Sequence, residues 1–333
     1  MRKLLAFLAI IGIALTIITG MNYIGHGNNP SIPYKTDYKG SSGYTPPISG
    51  GLEKVENDSS RLAVDAPNAV LIDCESGNIL YDKAAEKRCF PASTTKILTA
   101  LLALENGDLN EVVTVGEEAN LAPLDSSKAG ICYGERFTLE TLLKCLLIPS
   151  GNDAAYVIAV HIARKVSRDG DMPVGQAVNY FCRLMNERAV KAGATESNFA
   201  NPDGYHREDH YTTARDIALI AREAMEFTAF RDIVKMENYS LPDIKLRGND
   251  GKMQNHTRLL LNTNKLIIRD SSYFFKYAAG VKTGHTGEAG YCLVSSALYE
   301  GKSVIAAVMN STEENVWPES VKLLEWGLFN AGQ

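Results

Sequence analysis

Three short stretches combine residue types that can do covalent chemistry. Ser93-Thr94-Thr95-Lys96 follows Phe90-Pro91-Ala92 and opens a stretch of helical periodicity. A serine and a lysine at i,i+3 share one helix face, a turn apart. The hydroxyl becomes a nucleophile only beside a base, and an ammonium becomes that base only when its pKa is depressed. Ser150-Gly151-Asn152 follows Leu147-Ile148-Pro149 between two helical patterns. There a serine can pass a proton, and an asparagine can hold a carbonyl or contact a lysine. Lys282-Thr283-Gly284-His285 follows Ala279-Gly280-Val281 and precedes a strand. At a sheet edge its lysine and threonine can bind a carboxylate, and Gly284 lets a substrate backbone come close. The P-loop pattern is absent around Lys282, so this is not a phosphate-cradling lysine. Taken singly, each stretch is also ordinary structure: a helix start beside a solvated lysine, a loop between helices, a strand running into a turn.

Positioning these groups requires a sheet and helices, and both patterns are present. Apolar runs Ala69 to Asp73 and Ile79 to Tyr81 surround Ser76-Gly77-Asn78, which predicts a hairpin. Ala289 to Tyr299 and Ser303 to Met309 flank Glu300-Gly301-Lys302, which predicts a second antiparallel pair. Val321, Leu323, Leu324, Trp326, Leu328 and Phe329 give a terminal helix an apolar surface to lay on that sheet. Between the ends, Ser93 to Leu104, Thr138 to Leu147, Asp153 to Ala163 and Val174 to Val190 read as helices. Thr213 and Asp216 form a variant capping box before Ile217. The expected class is therefore α+β: an antiparallel sheet flanked by helices, with a mostly helical subdomain inserted over about residues 90–255.

The chain has 333 residues, with 39 Asp and Glu against 34 Lys and Arg, and a net charge of -5 disfavours a basic nucleic-acid binder. Hydrophobic residues at 45% and charged residues at 22% exclude a wholly disordered or multi-span membrane chain. Arg2 and Lys3 precede an uncharged apolar run from Leu4 to Thr19, so residues 1–25 are read as a signal peptide or N-terminal membrane anchor. No A-x-A site decides between these two, and either places the remainder outside the cytoplasmic membrane. Residues 26–60, rich in Gly, Pro, Ser and Asn, form a linker, and 61–333 form the catalytic domain. Six cysteines, at 74, 89, 132, 145, 182 and 292, lack any C-x-x-C pair and are read mostly as reduced packing residues. No metal or other cofactor is expected. His161, His256, His206 and His210 are read as structural.

In this order, 57 residues from Ser93 to Ser150 and 132 from Ser150 to Lys282, the three stretches closely resemble the motifs of the penicillin-recognising serine hydrolases. PASTTKILTALLALE, LLKCLLIPSGNDAAYVIA, YHREDHYTTARDIALIA, NTNKLI and GVKTGHTGEAGYCLVSSA resemble the serine-type D-alanyl-D-alanine carboxypeptidase family of low-molecular-mass penicillin-binding proteins. The resemblance spans about Val64 to Phe329 and implies a β-lactamase/transpeptidase-like fold. It implies Ser93 as the acylated serine, Lys96 as general base, and Ser150 and Asn152 as the second motif. Lys282, Thr283 and Gly284 would bind the carboxylate, and the backbone N–H groups of Ser93 and His285 would hold the oxyanion. Lys96 is expected to titrate below an ordinary lysine because Lys282 joins it in the assembled cleft.

The implied partners are peptidoglycan pentapeptide stems, with β-lactams as inhibitors. Where many relatives carry histidine-glycine, this chain has Asp203-Gly204 within Asn201-Pro202-Asp203-Gly204, read as a turn on the cleft rim. Many relatives also continue into a β-rich stalk and a C-terminal anchor, whereas Gln333 follows directly on the last helix, so anchoring is expected at the N-terminus. The alternatives are an endopeptidase or transpeptidase of the same family, a class A β-lactamase and a noncatalytic peptidoglycan-binding protein. The lactamase would require an E-x-x-L-N-like deacylation segment between Ser150 and Lys282, and none occurs. The noncatalytic protein would be expected to have lost Ser93, Lys96 or Lys282.

Overall fold

The computed structural model describes residues 62–247 and 253–330, with the side chains of 243–256 set aside. The apolar segment Leu4 to Thr19 and the linker to residue 60 lie outside the described residues. Among the described residues no helix is long and apolar enough to cross a membrane.

The described strands are β1 (Asn68–Asp73), β2 (Ile79–Lys83), β3 (Val112–Thr114), β4 (Arg136–Thr138), β5 (Asn238–Arg247), β6 (Met253–Leu261), β7 (Ala278–Thr286), β8 (Gly290–Tyr299) and β9 (Lys302–Ser311). Five of them form one antiparallel sheet in the order β2-β1-β9-β8-β7, so the first described strand pairs with the last within it. Period-2 alternation gives each central strand two apolar faces. Leu71 of β1, Leu293 of β8 and Val304, Ala306 and Val308 of β9 share one core with Leu323, Leu324 and Leu328. These last belong to the final helix, Val316–Phe329. Gly327 sets how closely that helix approaches, since a Cβ there would lie 2.8 Å from Leu71 Cδ2 and 3.1 Å from Val304 Cγ1.

Glu319 of the same helix is buried and ties the first described residues to the sheet. Its Oε1 accepts the amides of Asp65 and Ala66, and its Oε2 accepts the Ser311 hydroxyl at 3.1 Å. Glu319→Ala leaves these buried donors without partners, and we expect a loss of about 2 to 4 kcal/mol. A urea midpoint equal to that of the parent protein would contradict this role.

The helices between the sheet's two halves are α1 (Lys96–Asn106), α2 (Leu139–Leu147), α3 (Asn152–Ser167), α4 (Val174–Lys191), α5 (Ala214–Met225) and α6 (Thr228–Val234), and the terminal helix is α7. α1 is buried continuously from Lys96 to Ala103. Thr138 caps α2 by accepting the Thr141 amide, and Thr213 caps α5 by accepting the Asp216 amide at 3.0 Å. The carboxylate of Asp216 also takes the Glu196 amide and the Ser197 hydroxyl, each at 2.8 Å, so it ties α5 to the preceding loop.

The helical run stops at Val234 rather than near residue 255. From Asn238 the chain forms the β5–β6 hairpin, which the sequence reading assigned to the helical part. Arg258 on β6 pairs with Glu135 at 2.8 Å and donates to the Gly130 carbonyl at 3.0 Å, so a long-range ion pair joins this hairpin to the loop before β4. All six cysteines are free thiols; Cys145 and Cys292 are buried, whereas Cys132 is exposed.

Candidate active site

Ser93 lies in a one-turn 3-10 helix, Ala92–Thr95, that runs directly into α1. The turn closes on Pro91, whose carbonyl accepts the Thr94 amide at 3.2 Å and the Thr94 hydroxyl at 2.7 Å. In a 3-10 turn residues i and i+3 eclipse, which brings serine and lysine together more directly than an α-helical start would. Lys96 Nζ donates to Ser93 Oγ at 2.8 Å. Ala92 has φ of +47°, a left-handed conformation costing about 1 to 3 kcal/mol in a residue with a Cβ, immediately before the serine.

Lys96 is 0% exposed, and its second hydrogen bond, at 2.6 Å, goes to the carbonyl of Asp203. Burial pushes its pKa down to about 8, although the carboxylates of Asp203 and Asp153 favour the ammonium. The expected direction holds, but burial and not the neighbouring cation is the cause. Lys282 shows the converse: burial first, and then the charge of Lys96, hold it well below the ordinary lysine range.

The turn Asn201 to Tyr205 lies beneath the serine and not on the rim. Asn201 closes it, accepting the Gly204 amide and donating to the Tyr205 carbonyl, both at 2.8 Å. The Pro202 carbonyl accepts the Thr99 hydroxyl at 2.6 Å. Gly204, with φ of +84°, presses on the serine turn so closely that a Cβ would stand 1.9 Å from the Ala92 oxygen. Asp203 itself is 0% exposed. Sequence reading therefore missed a support of the nucleophile, although Asn-Pro-Asp-Gly correctly marked a turn.

His210 is a second support. It accepts the Ala200 amide on Nδ1 at 3.0 Å, which leaves Nε2 to donate to Thr95 Oγ1 at 2.8 Å. Burial lowers its pKa to about 3, so it is neutral. His161 meets Glu111 at 3.1 Å, far from this chemistry in role, and the side chain of His256 lies outside the described residues. No group of three or more metal-ligating side chains gathers among the described residues.

The second motif sits at the start of α3. Ser150 is buried with φ of +64°, and Asn152 is buried with its Oδ1 unpartnered among the described residues. Asp153 fixes the facing loop by accepting the amides of Ala129 and Gly130 at 2.9 Å and of Ile131 at 3.2 Å. The third motif lies on β7, an edge strand. Lys282 is buried and donates to the Thr283 carbonyl at 3.0 Å, and the Thr283 hydroxyl shares a hydrogen bond with Thr263. Gly284 faces the serine turn: a Cβ there would be 3.0 Å from both Ser93 N and Pro91 O. A side chain at 284 would thus separate the strand from the amide expected to hold an oxyanion. His285 is exposed and packs its ring on Tyr291, 4.2 Å between centroids.

An antiparallel sheet between helices, with a helical insertion, is the architecture of the penicillin-binding class of D,D-peptidases. Its model for D-alanyl-D-alanine carboxypeptidases matches residues 54–313, and the chain belongs to that family. It is 34% identical over 273 residues to the Bacillus subtilis D-alanyl-D-alanine carboxypeptidase DacF, covering 80% of this chain and 63% of that protein. It is 36% identical over 241 residues to the D-alanyl-D-alanine carboxypeptidase of Streptomyces sp. strain K15, covering 71% of this chain and 78% of the other. The crystal structure of the Streptomyces K15 DD-transpeptidase superposes with a TM-score of 0.68 at 32% identity, over 80% of this chain and 98% of that one. The chain therefore spans less than two thirds of the Bacillus relative's length.

Proposed function

We propose that this protein is a D,D-carboxypeptidase that removes the terminal D-alanine from peptidoglycan pentapeptide stems through an acyl-serine intermediate. The observation that carries the reading is the fully buried Lys96 donating to Ser93 at 2.8 Å. A lysine whose pKa burial has brought to about 8 is neutral in a useful fraction of molecules near neutral pH. Neutral Lys96 takes the Ser93 proton, and Ser93 Oγ attacks the carbonyl of the penultimate D-alanine. The amides of Ser93 and His285 hold the oxyanion. Ser150 passes a proton to the leaving amine, with Asn152 holding the substrate amide, and water then hydrolyses the acyl-enzyme. Lys282 and Thr283 hold the terminal carboxylate, and that carboxylate favours the ammonium form of Lys282 which burial alone disfavours.

A β-lactam acylates the same serine and leaves slowly. Arg2, Lys3 and the apolar run to Thr19 support an extracytoplasmic site of action, with the N-terminal segment as anchor or export signal. Transpeptidation is the second reading, favoured by the likeness to the Streptomyces K15 DD-transpeptidase. Transfer to an added amino acceptor in place of water would decide for it.

The reading is tested by intact mass after incubation with a penicillin. One adduct is expected on the parent chain and none on Ser93→Ala; an adduct on the variant would overturn it. Recognition of a free chain end gives a further expectation. The same peptide amidated at its C-terminus loses a charge-assisted contact worth about 1.5 to 3 kcal/mol, and should react roughly 10- to 150-fold more slowly. Equal rates for the two peptides would remove Lys282 and Thr283 from that role.

A further inference from the structure

Asp203 is a buried ionisable group that the mechanism leaves unused. The turn that contains it is closed chiefly by Asn201, which makes two side-chain hydrogen bonds across it at 2.8 Å. One carboxyl oxygen, Oδ1, accepts the Tyr205 amide at a long 3.3 Å. The other, Oδ2, is buried with no hydrogen-bond partner among the described residues. A buried carboxyl so poorly satisfied is costly, and a turn alone would be served as well by asparagine. Its own backbone carbonyl meanwhile holds Lys96 Nζ at 2.6 Å, so the carboxyl is tethered within one residue's reach of the ammonium without a direct ion pair to it.

We infer that Asp203 is a positioning residue for Lys96: its carboxylate is the counter-charge that keeps the lysine protonated until the pH rises, and so sets the pH at which Ser93 can be activated. This rests on the reading of Lys96 as the base. The other groups facing the pair are accounted for. Asp153, from α3, also favours the ammonium, but its oxygens are committed to the amides of Ala129, Gly130, Ile131 and Ala154. Lys282, from β7, is itself held below the lysine range by burial and by Lys96. His210 is neutral, and Tyr156, whose phenol burial raises, adds no charge at working pH. Cys182, from α4, is likewise held as the neutral thiol by burial. Asp203 thus remains the carboxylate least committed elsewhere. Its own pKa is raised by burial and lowered in turn by Lys96, as expected of a pair that titrates together.

The sign of the effect separates this role from a structural one. Removing the negative charge lowers the lysine's pKa, so the neutral base becomes available at lower pH. The experiment is the acylation rate of the full chain by a penicillin from pH 5 to 10, for the parent, Asp203→Asn and Asp203→Ser. The rising limb should move to lower pH by about one unit or more, giving roughly a 10-fold gain in rate on its acid side, with the alkaline plateau kept. An unmoved limb in both variants, or loss of folding in both, would overturn the inference. Adduct formation on Ser93→Ala, or an undiminished rate in Lys96→Ala, would instead overturn the underlying assignment of nucleophile and base.

Discussion

Lys96→Ala should lower the rate of acylation by a penicillin by about 10²- to 10⁴-fold, the range a positioned general base contributes. Lys96 Nζ is the side-chain group that the structure hydrogen-bonds to Ser93 Oγ, and its burial is what makes the neutral, proton-accepting form available. The fold should survive, because removing a buried ammonium also removes its desolvation cost, and the helix keeps Ile97, Leu98, Leu101 and Leu102 fully packed. Lys282→Ala should behave differently. It leaves the serine-lysine pair in place and should raise KM for a substrate with a free carboxylate more than it lowers kcat. Full-rate labelling by Lys96→Ala, with an unchanged melting transition, would contradict the assignment of the base.

Gly204→Ala should be the most damaging small substitution in the site. A Cβ at 204 would stand 1.9 Å from Ala92 O, 2.4 Å from Ala92 C and 2.9 Å from Thr95 Oγ1. The φ of +84° adds strain of its own. Ala92 cannot retreat easily, since its residue is already left-handed and the turn is closed on Pro91. Overpacking and backbone strain together should cost about 3 kcal/mol. A displacement near 1 Å between the serine turn and the Asp203 carbonyl would slow acylation by about 10²-fold even in the folded fraction. Thermal melting and penicillin labelling measured on the same sample check both parts; parent-like values in both would mean that the turn does not support the nucleophile.

The site was more legible in the sequence than its supports were. Serine and lysine three residues apart meet because local geometry alone eclipses i and i+3, so spacing carried the information. The hairpin at Ser76-Gly77-Asn78 and the β8–β9 turn were legible for the same reason, as turn chemistry between alternating runs. The β5–β6 hairpin was not. Pro242 interrupts its first strand, its register shifts between Leu241 and Ile244, and part of what holds it is the ion pair of Arg258 with Glu135, 123 residues away. Asp203 shows the limit most plainly. Asn-Pro-Asp-Gly predicts a turn from local preference, but whether that turn lies on a rim or under a nucleophile depends on a contact with Lys96 across 107 residues. Local signals cannot carry that information. The cause of the low pKa of Lys96 was not legible either: the spacing points to the charge of Lys282, whereas burial is what lowers it, and burial is a property of the assembled cleft.

The most direct measurement is release of free D-alanine from a peptide ending in L-Lys-D-Ala-D-Ala, or its diaminopimelate counterpart, by the full chain beside Ser93→Ala. D-alanine should be released by the parent and not by the variant, at a rate that rises with pH through about 8 as Lys96 loses its proton. No release by a well-folded parent chain, together with fast multiple-turnover hydrolysis of penicillin, would contradict the proposed carboxypeptidase reaction.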